Sequence, residues 1–325
     1  MTEGRRPTMP QHDPSGWIEA FVFVIAVSVL NVLYAYAVAR GAHVVVFVLY
    51  AMIGTSVAML AMSGLGADAA RVIAHPASWV YGIATVALEG VYFLLVGLIS
   101  PAEASLTARL SVPMSLLVAW AYFSAPLQAR QVIGGAIVVA AVVPVLMLVP
   151  VESRTAAIVL GGLTALIVAI KTYASEYHPW NRRAGTVAEK VRVTGLVVLA
   201  ATMLGVVVTG ALMLAAATGA IKTSPFTPPP SAFTHGPTIF LALGLGVVTL
   251  VAMSYLTFSS VVKIGTSNFL ATSAVTPLSA YGLQLLAAHA GLIAAPAFDF
   301  ALLAPILLGI AGMLMIVTRG NGAPR

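Results

Sequence analysis

Ten apolar runs, each near the length needed to cross a lipid bilayer, follow one another along this chain with only short polar breaks. A spanning helix needs about 20 mainly apolar residues. Runs that meet this requirement lie at 17–39, 43–63, 77–99, 102–123, 130–149, 155–175, 193–217, 237–258, 266–288 and 298–317. Backbone polar groups in hydrocarbon must be satisfied internally, so apolar runs of this length become helices. Composition agrees: 60% of the 325 residues are hydrophobic and 8% are charged, against roughly a quarter charged in a soluble domain. The expected fold class is an all-α integral membrane protein of ten transmembrane helices.

The first run follows Arg5 and Arg6, and Ala37-Val38-Ala39 resembles a signal cleavage site. Its apolar part exceeds the about 7–15 residues of a signal core, so it reads as an uncleaved first helix. With the N-terminus in the cytoplasm, twelve basic residues fall in cytoplasmic segments and three, Arg40, Arg154 and Lys222, fall outside. That bias predicts cytoplasmic termini and a bacterial-type inner membrane. The tails are 1–16 and 319–325. The long connections are 176–192, charged and cytoplasmic, and 218–236, an outer loop stiffened by Pro228-Pro229-Pro230.

Several function classes are disfavoured. The net charge of +6 is spread between apolar runs, not gathered with aromatic platforms, so nucleic acid is not an expected partner. There is no cysteine, and the six histidines show no metal-ligand spacing. No phosphate-cradling glycine loop or hydrolase nucleophile elbow occurs, so neither an enzyme nor a cofactor is expected. The expected partners are a small-molecule substrate and the lipid bilayer.

Residues 101–120 read PAEASLTARLSVPMSLLVAW, and 265–284 read GTSNFLATSAVTPLSAYGLQ. A shift of 164 brings Pro113 onto Pro277 and Ser115 onto Ser279. The shift is close to half the chain, which divides it into five-helix units at 17–150 and 151–318. An odd number of spans per unit inserts the second the other way up, giving two inverted repeats. The stretch 100–120, the fifth helix opening Gln131-Val132-Ile133-Gly134-Gly135-Ala136, and Thr276-Pro277 in the ninth resemble the drug/metabolite transporter superfamily, EamA type. The resemblance covers about 17–318. The glutamate that family often carries after its fourth and ninth helices is missing here, where the chain reads Phe123-Ser124-Ala125-Pro126 and Ala287-Ala288-His289-Ala290.

Charges inside a span are costly and usually face protein or a water-filled cavity. Glu89 lies about ten residues before the turn near 99–102 and Arg109 about eight after it, so at 1.5 Å per residue they share a depth. They are expected to touch directly or through a water. Such a pair serves either substrate recognition or the locking of helix 3 against helix 4. Lys171 reads as a snorkelling lysine or else a substrate contact, and Glu19, Glu103 and Asp299 as solvated helix ends. Pro113 and Pro277 free the carbonyls of Arg109 and Ser273, which either line a cavity or mark kinks satisfied by neighbours. Gln284 lies on the face of Ser273. Tyr34, Tyr92, Trp120, Tyr255 and Tyr281 are candidates for an aromatic substrate wall, with Tyr36, or are interface anchors. Asn31 is either a substrate contact or a helix–helix hydrogen bond.

The resemblance implies alternating access around a central cavity and export of a small polar metabolite such as an amino acid or amine. Proton coupling is left open. Alternatives are an importer of choline or a related cation, a lipid flippase, and a non-transporting membrane subunit.

Overall fold

The computed structural model of the chain describes residues 14–294 and 300–317. Arg5, Arg6, Asp299 and the 319–325 tail lie outside them. No strand occurs among the described residues. Nine helical segments there are long and apolar enough to cross a membrane, which makes the chain a multi-pass helical membrane protein.

The first three spans are α1 (Pro14–Ala39), α2 (Val44–Ser63) and α4 (Pro76–Leu98), with the short α3 (Ala69–Ala74) between the last two. The fourth span, Pro101–Phe123, is broken. It begins as α5 (Pro101–Thr107), tightens to a 3-10 turn over Ala108–Leu110 and resumes as α6 (Ser111–Phe123). Its start is fixed by a capping box between Ser100 and Glu103. Spans five and six are α7 (Ala129–Leu148) and α8 (Val151–Glu176).

The loop expected over 176–192 is shorter than its sequence suggests. It contains α9 (Pro179–Arg183), and α10 (Val187–Ala217), the seventh span, starts six residues earlier than the apolar run. A Thr186–Glu189 capping box fixes that start. The eighth span combines α11 (Gly236–Leu241), a π-turn over Ala242–Gly246 and α12 (Val247–Ile264). Gly265, at φ +80°, turns the chain between α12 and α13 (Thr266–Thr272), a conformation L side chains rarely adopt. After a 3-10 turn at Ser273–Val275, α14 (Thr276–His289) completes the ninth span. The run expected at 298–317 forms the helix α15 (Phe300–Val317), whose apolar stretch Leu302–Ile316 is shorter than the nine spans.

Helices in lipid gain nothing from hiding apolar surface from each other, so close packing decides their neighbours. Here α15 lies along α7, α10 along α2, α4 along α8, and α1 between α12 and α14. The α7–α15 crossing is made by two glycines. A Cβ on Gly134 would come within 2.5 Å of the Gly312 carbonyl oxygen, and one on Gly312 within 2.8 Å of the Gly134 oxygen. The broken fourth and ninth spans meet at the centre, α5 against α14 and α6 against α13.

Candidate functional site

The two 3-10 turns follow from the prolines. Pro113 and Pro277 have no N–H to offer the residue four positions earlier, and each span tightens there, at Arg109 and at Ser273. The freed Ser273 carbonyl is not left open. It accepts from Arg109 Nη1 at 2.6 Å and from Thr276 Oγ1 at 2.7 Å. Arg109 Nη1 also bonds the Ser273 hydroxyl, and Nε donates to the Ser105 carbonyl at 3.2 Å. A guanidinium therefore clamps the broken ninth span to the broken fourth.

Beside this clamp is a cavity of about 70 Å³. Its polar lining comprises Glu89 and Tyr92 from α4, Arg109, Thr164, Lys171 and Thr172 from α8, Thr257 from α12, and Ser273. Phe23, Leu30, Met253 and Phe269 supply much of its apolar wall. Glu89 is 3% exposed, and Arg109 and Lys171 are each 7% exposed. Glu89 does not form the expected direct ion pair with Arg109. Its Oε2 accepts from the Tyr34 hydroxyl at 2.5 Å, and its electrostatic attraction is to Lys171. The ion pairs among the described residues are Arg71–Asp68 and Lys263–Glu19.

Four of the sequence-derived candidates thus line one cavity: Glu89, Arg109, Tyr92 and Ser273. Tyr34 and Asn31 stand behind it. Tyr34 is fully buried on Glu89, and Asn31 is fully buried beside Tyr92 without a hydrogen bond of normal geometry. Gln284 is buried elsewhere. It accepts from the Ala102 N–H at 3.3 Å and borders an outer cavity of about 580 Å³ with Ser100 and Glu103. Trp120 is 57% exposed on the outer surface of α6 and lines neither cavity. Pro113 packs towards Gly135 of α7, where an added Cβ would meet its ring at 3.3 Å. Pro277 and Tyr281 are buried, and Tyr255 half-buried, off the central cavity lining.

Of the two readings open to Lys171, the inward-facing one holds. The side chain does not snorkel: its Nζ lies 5.9 Å from the Tyr81 ring centroid and faces inward. A stripe of Thr164, Lys171, Thr172 and Ser175 at helical spacing on α8 was the available signal. Glu19 is not a free solvated end either, since its Oε1 pairs with Lys263 Nζ at 2.5 Å.

Aromatic and polar contacts flank the cavity. Towards the end carrying α1's N-terminus, Phe23 packs tilted on Phe269 at 4.9 Å between centroids, and Lys263 bonds Glu19 and Ser15. Towards the opposite end, Tyr34, Phe47 and Phe93 form a ring cluster with centroids 4.8–5.6 Å apart.

Fold and site together define a multi-pass helical membrane protein with a cavity lined by charged residues. No protein-family model matches the chain, and no curated protein matches it either. A solved structure described only as "Crystal structure of protein" is similar over 93% of this chain and 97% of its own, with a TM-score of 0.56 and 19% sequence identity. That likeness extends to the fold alone.

Proposed function

We propose that the chain is a secondary transporter of the drug/metabolite transporter type, which carries a small polar metabolite by alternating access between two inverted five-helix repeats. The observation that carries this reading is the buried charged cavity, to which the first half contributes Glu89 and Arg109 and the second Lys171 and Ser273. Packing supports the two-fold relation. Exchanging every span with the one five places on turns the contact of spans three and six into that of eight and one. The contact of one and nine likewise becomes that of six and four, while five–ten and two–seven map onto themselves. Arg109 and Ser273 are also 164 residues apart, the same offset that aligns the prolines. Residues related by a two-fold axis meet only on that axis.

The excess of basic residues in one set of loops supports cytoplasmic termini in a bacterial-type inner membrane. An amino acid fits the cavity's mixed charge better than choline or a simple amine, because two cations face one carboxylate there. Export remains the expected direction from the family resemblance.

The test is uptake of amino acids, amines and small organic anions by purified protein in liposomes, with and without a proton gradient. Saturable uptake that Arg109→Gln abolishes while helicity is kept is the expected result. Absence of uptake for every compound, by protein that is folded and inserted, overturns the proposal.

A further inference from the structure

Arg109 and Lys171 are both buried in the cavity wall, and neither has a carboxylate within 4.0 Å among the described residues. Arg109 spends Nε and Nη1 on a hydroxyl and two carbonyls, which carry no formal charge to balance it. Its Nη2 and the Lys171 ammonium make no hydrogen bond to the described residues. The single acid on the cavity, Glu89, is already held by Tyr34. Two cations therefore face one acid on the wall of this cavity. A buried cation without a counter-ion is among the most costly groups in a membrane interior. A ligand that brings a negative charge removes that cost; a ligand that brings a positive one adds to it.

We infer that the cavity takes a small organic monocarboxylate, its carboxylate held by Arg109 Nη2 and Lys171 Nζ. The inference rests on the transporter reading for its physiological meaning, but concerns binding. Volume limits the size. A cavity of about 70 Å³ exceeds several-fold the roughly 10–15 Å³ that admits one water, which suits a small acid and leaves no room for a bulky one. The wall limits the rest of the molecule. Val27, Leu30, Val168 and Leu270 surround a short alkyl group without offering it a polar partner. Thr164, on the same wall, carries a buried hydroxyl that no protein group satisfies. A hydroxyl or oxo oxygen beside the carboxylate meets that need, so lactate-like acids bind better than the plain acid of the same length.

The experiment is a thermal-shift and calorimetric titration of purified full-length protein with lactate, propionate, alanine, ethanolamine and choline, each as a salt with an inert counter-ion. Lactate is expected to stabilise the protein most, propionate less, and the two cations not at all. Arg109→Lys, which keeps the charge but loses the fork, should weaken lactate by about tenfold. Thr164→Val should erase the preference for lactate over propionate. Stabilisation by choline or ethanolamine but by neither acid overturns the inference, and so does absence of any acid-dependent shift at millimolar concentrations. Parallel uptake in liposomes separates the two proposals. Lactate binding without uptake of any compound refutes transport and keeps the site; uptake of cations without acid binding refutes the site and keeps transport.

Discussion

Arg109→Gln removes the clamp on the Ser273 carbonyl, and the expected loss is about 1.5–3 kcal/mol, the range for a hydrogen bond to a charged group. Thermal unfolding in detergent reads it. Tyr34→Phe deprives Glu89 of its donor and should cost a similar amount. Because Glu89 and Arg109 hold separate partners, the double change Glu89→Gln with Arg109→Gln should be close to additive, within about 0.5 kcal/mol. A coupling of about 3–5 kcal/mol would instead mark a broken buried ion pair. The depth of both residues was legible in the sequence, since helical rise alone puts them at one level. Their partners were not. Tyr34, Lys171 and Ser273 come from helices remote in sequence, and depth says nothing about which neighbour a side chain faces. The snorkelling reading of Lys171 failed for a related reason: a lysine near a helix end has a cheap route to water, and only the packing of α4 along α8 closes that route.

At the scale of the helices, the order and approximate limits of the nine long apolar segments could be read from apolar runs, because lipid imposes a fixed length on each. The internal breaks could be anticipated from Pro113 and Pro277, but not the tightening to 3-10 geometry or the π-turn at Ala242–Gly246. The α7–α15 crossing offers a clean test. Gly134→Leu has no room against the Gly312 backbone, so it should force the helices apart and cost about 1–3 kcal/mol, read as a lowered melting temperature. A second test lies at the α8–α9 joint. His178 accepts from the Asn181 N–H through Nδ1 at 3.3 Å, so its Nε2 carries the proton donated to Ser78 Oγ at 3.0 Å. Burial, then the neighbouring His75, lowers the His178 pKa from 6.5 to about 4. The folded state thus resists protonation that the unfolded chain accepts. Stability is complete above pH 6.5 and falls as pH drops from there through 4, by about 3 kcal/mol. His178→Asn, whose Oδ1 can take the Asn181 N–H bond, should flatten the melting profile across that window.

For the whole molecule, the proposed orientation predicts that reporters fused at residue 185 stay on the cytoplasmic side and those at 222 on the outer side; one common location refutes it. Under alternating access, Glu19→Gln loosens the contact of α1 with Lys263 of α12 and should raise the labelling rate of a cysteine introduced at Phe23, while a cysteine at Phe93 is unaffected. The proposed division into halves rests, in the sequence, on two prolines and a run of small residues, since lipid-facing positions need only be apolar and drift freely. The clamp at the centre has a further meaning for how such a chain could arise. If the halves descend from one ancestral unit that paired with itself upside down, the position now held by Arg109 once faced its own copy. Two guanidiniums there would have repelled each other across a few ångströms with no water between them. On that proposed reading, fusion into a single chain would let one copy keep the arginine and the other become Ser273, so a charge that symmetry forbids in a dimer of identical subunits becomes available where the halves meet.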